Sequence, residues 1–246
     1  MQILAVNGSP RGAAGNTEQL LRAFLKGAGE AGAQSETVYL KDKTIKHCRG
    51  CYTCWGVTPG VCVHKDDMAE LLEKLRCSDM IVYATPLYVY TVSGLMKDFM
   101  DRRIPLALPH IKKYGDQYAH PRRYEREAPQ KTMLISNCGF PSRQYFSGLL
   151  ETFRIMCSSP HNELVGAIMC SAGPMLTIPP FKDKFKWYLD ACETAGKEVV
   201  KEGCISVQTQ AELERELITD VDQFMSMINK MWDKTLSGEI RFEPRP

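Results

Sequence analysis

Apolar positions along the chain follow two alternating rhythms. Ile3 to Val6 is an unbroken apolar run, as in a strand covered on both faces. Residues 16–31 then place Leu20, Leu21, Phe24 and Ala28 at helical spacing, closed by Gly29 and Gly32. Ser35 to Leu40 predicts a second strand. Residues 66–77 predict a short helix with Met68, Leu71, Leu72 and Leu75 inward. Met80 to Ala84 reads as the third strand, and a helix begins at Ser93 to Asp101. Thr132 to Ser136 is the fourth strand, a helix lies near 144–157, and Leu164 to Cys170 is the fifth. Two helices finish the pattern. One carries Phe181, Phe185, Leu189, Cys192 and Val199. The other starts near Thr209, with Glu212 at capping-box spacing and a stripe of Leu213, Leu217, Val221, Phe224, Ile228 and Trp232. Strand and helix in alternation predict one α/β domain over 1–246, doubly wound around a parallel sheet.

Residues 104–130 interrupt this rhythm with four prolines and tyrosines among lysines and arginines, and read as an irregular excursion: a lid, a binding loop or a subunit contact. Residues 205–236 form a helical extension whose stripe packs on the sheet or meets a second subunit. From Gly238 onward the chain reads as a tail. In doubly wound sheets ligands bind beyond the carboxyl ends of the strands. Those ends lead into 7–17, 41–63, 85–93, 137–144 and 171–180, where the chemically unusual residues cluster.

Composition narrows the function classes. The 246 residues carry 31 basic and 29 acidic side chains, a net charge of +2, which gives no support to nucleic-acid binding. No segment approaches a membrane span, and the N-terminus has no basic region or cleavage site of a secretion signal. Ten cysteines without an export signal read as thiols or metal ligands in a cytoplasmic protein.

The turn after the first strand runs Asn7-Gly8-Ser9-Pro10-Arg11-Gly12-Ala13-Ala14-Gly15-Asn16-Thr17. Small residues permit a tight loop around an anion, and a helix start adds free amides. Neither Gly-x-Gly-x-x-Gly nor Gly-Lys-Ser/Thr is present, so a monophosphate fits better than a diphosphate. Gly8-Ser9-Pro10-Arg11 with Gly15-Asn16-Thr17 resembles the phosphate loop of flavodoxin-like FMN reductases. Thr85-Pro86-Leu87-Tyr88, then Ser93-Gly94-Leu95-Met96-Lys97 and Asp101-Arg102, resemble that family's second FMN segment. Asn137-Cys138-Gly139-Phe140 resembles its third. The resemblance covers about residues 1–170. It implies a flavodoxin-like five-stranded sheet of order 2-1-3-4-5 and noncovalent FMN. Ser9, Arg11, Asn16 and Thr17 would hold the phosphate, Pro86, Leu87, Tyr88 and Val89 would lie along the isoalloxazine, and Asn137, Cys138 and Gly139 would approach its other edge.

Cys48-Arg49-Gly50-Cys51-Tyr52-Thr53-Cys54 followed by Cys62 spaces four cysteines as C-x2-C-x2-C-x7-C. Thiolates that close can converge on an iron–sulfur cluster. Zinc would accept the same four tetrahedrally, with His47 and His64 adjacent. Thiol chemistry through Cys51 and Cys54 is the third reading. The segment, with Asp66-Asp67-Met68 after it, resembles the cysteine motif of iron–sulfur flavoproteins, a branch of the same family. That implies Cys48, Cys51, Cys54 and Cys62 as ligands of a [4Fe-4S] cluster, although members with the cysteines and no evident cluster also exist. Cys77, Cys157, Cys170 and Cys192 read as small buried hydrophobes.

The expectation is an FMN-dependent oxidoreductase. It would move electrons from NAD(P)H or ferredoxin to a small acceptor such as a quinone or flavin, as a homodimer or homotetramer. Hydride transfer to the flavin requires no acid, base or nucleophile, so no catalytic residues are nominated. Arg102, Arg103, Arg122 and Arg123 offer charge for a substrate phosphate, or simply solvate the surface. The alternative is a non-enzymatic electron carrier or redox sensor.

Overall fold

A computed structural model describes residues 1–179 and 181–241. The chain opens with β1 (Gln2–Asn7), whose Ile3 to Val6 are buried as the apolar run requires. It continues through α1 (Asn16–Glu30), β2 (Gln34–Tyr39), the single turn α2 (Thr53–Gly56), α3 (Met68–Cys77), β3 (Met80–Pro86) and α4 (Gly94–Asp101). After the short strands β4 (Lys112–Tyr114) and β5 (Gln117–Ala119) come β6 (Gln130–Asn137), α5 (Ser147–Met156) and β7 (Asn162–Cys170). The remainder is helical: α6 (Phe181–Lys184), α7 (Lys186–Lys201), α8 (Val207–Leu213) and α9 (Val221–Leu236).

The main sheet has the order β2-β1-β3-β6-β7 with every neighbour parallel, the flavodoxin-like order 2-1-3-4-5 when only its own strands are counted. β3 sits at its centre and is buried along its whole length. Two apolar layers cover the faces. On one, Leu20, Leu21, Phe24 and Ala28 of α1 pack with Tyr188, Cys192, Ala195 and Val199 of α7. On the other, Met68, Leu71 and Leu75 of α3 pack with Met96 and Phe99 of α4 and Leu149 and Phe153 of α5. α1 and α7 approach backbone to backbone. A methyl group on Gly27 would fall 1.8 Å from Glu193 O, and one on Gly196 would fall 2.0 Å from Phe24 O. Only glycine fits there.

Three expectations need correction. The excursion 104–130 is not wholly irregular, because β4 and β5 pair as an antiparallel hairpin around Gly115 and Asp116, with Gly115 at φ +59°. The Phe181 stripe is broken between α6 and α7. The last predicted helix is two helices. Ser206, not Thr209, caps α8 by accepting from Thr209 N at 3.2 Å, and Asp220 caps α9 by accepting from Gln223 N at 2.9 Å. Between them Glu216 accepts from Arg143 N at 2.8 Å and from Ser171 Oγ, which a continuous helix would not allow. The tail expected from Gly238 falls largely outside the described residues.

Among the described residues no helix is long and apolar enough to cross a membrane.

Candidate cofactor sites

β1, β3 and β6 end side by side, in a register that pairs Asn7 with Ala84 and Pro86 with Asn137. The loops that leave these ends are laced together. Gly8 N donates to Ala84 O at 2.8 Å, and Leu87 N donates to Asn137 O at 2.9 Å. Ser93 Oγ donates to Gly8 O at 2.6 Å and caps α4 by accepting from Met96 N at 3.2 Å. Asn137 Nδ2 donates to Thr17 Oγ1 at 2.7 Å. Three segments separated by more than forty residues in sequence thus form one edge, and buried side chains supply two of the ties.

α1 begins at this edge without a side-chain cap. Its first residues Asn16 and Thr17 are buried, as is Ser9 opposite. The Ncap position is Gly15, where a methyl group would fall 2.6 Å from Ser9 Oγ. A buried, uncapped helix start with bare backbone in front of it is suited to an anion. Arg11 is half-buried and its N–H donates to Ser9 Oγ at 3.2 Å. The nearby acid Glu18 is held by Asn7 Nδ2 and the Tyr39 hydroxyl, both at 2.9 Å. Burial and that contact raise the Tyr39 phenol above its usual range. Thr177, which the sequence did not single out, donates to Asn16 Oδ1 at 3.2 Å and brings the β7 loop to the same place.

The second segment is an open hairpin tip. Pro86 is buried and Leu87 half-buried, whereas Tyr88 and Val89 are exposed. Tyr88 and Thr91 exchange two backbone hydrogen bonds, at 3.0 and 3.1 Å. The two residues between them, Val89 (φ +46°) and Tyr90 (φ +65°), are both left-handed. A β-branched residue there is strained, and such strain concentrates at functional loops. In the third segment Cys138 is buried and Gly139 exposed. Burial pushes the Cys138 thiol up to about 11, so it stays protonated at neutral pH. Tyr145, also missed in sequence, joins the two segments: its ring lies 4.7 Å from Phe140 and 6.2 Å from Tyr90, centroid to centroid.

The four cysteines lie elsewhere, beside α4. Cys48, Cys51, Cys54 and Cys62 line one small cavity with His64 and Ile104. The loop is clamped rather than ladder-bonded. Asp66 accepts from Arg102 Nη1 and Nη2 at 2.8 and 2.9 Å, and Arg102 Nη1 also donates to Lys46 O at 2.6 Å. Trp55 Nε1 donates to Ile104 O at 3.1 Å, Arg123 Nη2 donates to Cys54 O at 3.3 Å, and His47 Nδ1 lies 2.6 Å from Asp98 Oδ1. Arg102 is 1 % exposed, so it is not a surface charge for substrate. Arg103 Nη1 donates to the Tyr83 hydroxyl while its Nε is buried without a hydrogen-bond partner, and Arg123 is held by backbone carbonyls. Arg102 hydrogen bonding holds the Asp66 carboxyl down at about 2. The Cys54 thiol is pushed up by burial and then by the neighbouring Cys62, Cys51 and Cys48, while hydrogen bonding from Thr53 lowers that of Cys51.

The surroundings fit a sulfur-rich anionic group. Arg102 Nε and His64 Nε2 are buried without a hydrogen-bond partner, and the Arg102 guanidinium faces Cys62. Among the described residues no three His, Cys, Asp or Glu side chains stand as a ready-made metal site, so the cysteines share a cavity rather than a closed coordination sphere. Of the other cysteines, Cys170 and Cys192 are buried as expected. Cys77 is exposed and Cys157 half-buried, because both sit at helix ends where the apolar stripe has run out.

Comparison with known proteins bears on both sites. Residues 1–114 match the family described as NADPH-dependent FMN reductase. The matched segment contains the first two candidate flavin loops and all four cysteines of the motif. An iron–sulfur flavoprotein of Archaeoglobus fulgidus is 39% identical over 117 residues, 47% of this chain and 52% of that protein. One of Methanosarcina thermophila is 34% identical over 106 residues, 43% of this chain and 54% of that protein. The chain thus spans about half the length of the curated relatives it matches. Among solved structures, an NAD(P)H:quinone oxidoreductase from Methanothermobacter marburgensis superposes with a TM-score of 0.59 at 15% identity, covering 81% of this chain and 96% of that one. An FMN-dependent NADH-azoreductase from Bacillus anthracis, in complex with FMN, gives 0.60 at 13% identity, covering 81% and 99%. At these identities the likeness is one of fold.

Proposed function

We propose that the chain is an FMN-dependent oxidoreductase that carries an iron–sulfur cluster on Cys48, Cys51, Cys54 and Cys62. The observation that supports the flavin most is the lacing of three loops around the buried, uncapped start of α1. Ser9, Arg11, Asn16, Thr17 and the α1 amides would hold the phosphate. Pro86, Leu87, Tyr88 and Val89 would lie along the ring, and Asn137, Cys138 and Gly139 would meet its far edge. Bound FMN supplies hydride and single-electron chemistry. The chain would position it: the Asn137–Thr17 bond ties the phosphate loop to the far-edge loop, and the Tyr88–Thr91 turn would set the tip beside the ring. Cys138 stays a neutral thiol at that edge.

The cluster reading rests on the shared cavity, on the buried Arg102 guanidinium beside Cys62, and on relatives named iron–sulfur flavoproteins. Thiolates are net acceptors, and buried N–H groups around them are satisfied when the sulfurs carry charge. Electrons would come from NAD(P)H or ferredoxin and leave to a quinone or flavin. The exposed Met225, Met227 and Met231 of α9 favour assembly as a homodimer or homotetramer.

The test is the visible spectrum of anaerobically purified protein, with FMN, iron and acid-labile sulfide quantified. Flavin bands over a broad sulfur-to-iron shoulder, with about one FMN per chain, are expected. Colourless protein that takes up no FMN would overturn the reading, and flavin without iron or sulfide would remove the cluster from it.

A further inference from the structure

A second cavity, of about 400 Å³, opens where the excursion folds over α3 and α4, at the amino ends of β6 and β7. This is the opposite end of the sheet from the flavin loops, and the size is that of small-molecule sites. Backbone pairing places its key residue. Arg122 pairs as an antiparallel bridge with Ala107, and Arg123 N donates to Leu106 O at 2.9 Å. Side chains in such extended chain alternate. Arg123 turns to the cysteine loop and Arg122 turns into the cavity.

Arg103, Arg126 and Arg76 converge on the same space from α4's end, the excursion and α3. Arg122 Nη2 and Arg103 Nε are buried without a hydrogen-bond partner, and neither arginine has an ion pair among the described residues. The one acid on the cavity wall, Asp101, is spent on Lys97 at 2.7 and 2.8 Å; Glu125 and Glu127 line a neighbouring cavity that shares Arg122 and Arg126 with this one, and neither forms an ion pair with Arg122. Burial first, and then the charges of Arg126 and Arg103, lower the Arg122 guanidinium to about 10. Arg126 and Arg76 have acid partners in Asp79 and Glu73, but the half-buried Arg122 and Arg103 have none among the described residues, which is costly unless an anion joins them. Leu75, Met100, Ile104 and Met156 supply an apolar part of the wall, beside the polar His120, Gln130, Ser159 and His161.

We infer that this cavity binds a small molecule with an oxyanion head, phosphate or carboxylate, on an apolar body, gripped by Arg122 and Arg103. The guanidinium fork matches both anions, with the greater charge of a phosphate favouring it. Ile104 lines this cavity and the cysteine cavity alike, so the ligand would lie one side chain from the cysteines. The inference stands on this geometry and does not need the flavin reading.

The experiment is calorimetry on the full chain as purified, with and without added FMN, using phenyl phosphate and benzoate as probes. One phenyl phosphate per chain is expected, and Arg122→Gln should weaken it at least tenfold while leaving the FMN content unchanged. Phenyl phosphate should also raise the unfolding temperature of the parent protein and not that of Arg122→Gln. If Arg122→Gln is not recovered folded, Arg126→Gln should weaken binding severalfold. Benzoate binding as tight as phenyl phosphate, with the same Arg122 dependence, would support a carboxylate ligand in the same cavity. Failure of both probes to bind, or binding that neither substitution changes, overturns the inference.

Discussion

The proposed flavin edge and the cysteine loop are built by opposite means. The flavin edge inherits its geometry from the sheet: three parallel strands end in register, and short loops are tied by neutral buried hydrogen bonds such as Asn137 to Thr17. The cysteine loop has one helical turn and no strand, and charged side chains clamp it from α4 and the excursion. A site made from a sheet edge keeps its shape without an occupant. A loop held by ion pairs around a thiol cavity depends on charge, and so on pH and on what fills it.

The strongest way to break this contrast is to cut the clamp. Arg102→Leu leaves Asp66 buried and unpaired, and should destabilise the chain by about 3–5 kcal/mol, measured by denaturant unfolding. A loss below ~1 kcal/mol would show that the loop is held by something else. Acid should separate the two regions next. Asp66 titrates lower folded than unfolded, so its contribution is complete above pH 4 and is lost as the pH falls through about 2. Protease nicking at 47–63 should therefore rise between those limits before the sheet unfolds. Simultaneous loss of both regions would deny the clamp a separate role.

Within the flavin edge, Asn137→Ala should cost about 1–3 kcal/mol and weaken FMN binding, because it leaves Thr17 Oγ1 without its donor. A double-mutant cycle with Thr17→Val should show coupling of ~0.5 kcal/mol or more, and strict additivity would deny the tie. The smallest effect should be Val89→Gly. Relief of the left-handed strain offsets the entropy of glycine, so stability should rise by no more than about 1 kcal/mol while flavin turnover falls. A marked loss of stability would mean the turn is not strained.

The same contrast governs how much could be read from the sequence. The sheet and its loops were legible because β1, β3, β6 and β7 carry apolar runs, with only the edge strand β2 largely polar, and each candidate cofactor loop leaves a strand end. Four cysteines in fifteen residues were legible as a group, since short spacing forces proximity. Arg102 was not, because a charged residue at a helix end reads as solvated, and its burial depends on Asp66 thirty-six positions away. The β4–β5 hairpin did carry a signal in Gly115-Asp116, a two-residue turn between short extended runs, which the surrounding prolines masked. The break between α8 and α9 had none in the periodicity. Leu213, Leu217 and Val221 keep helical spacing across it, and the demand of Arg143 and Ser171 for the Glu216 carboxylate is tertiary.

The most direct measurement compares the parent protein with Cys54→Ser, both purified anaerobically, for FMN, iron and sulfide per chain. Two separately built sites should give a variant that keeps its full FMN content and loses iron and sulfide. Loss of FMN together with iron would contradict the account, because the two regions would then be one structural unit.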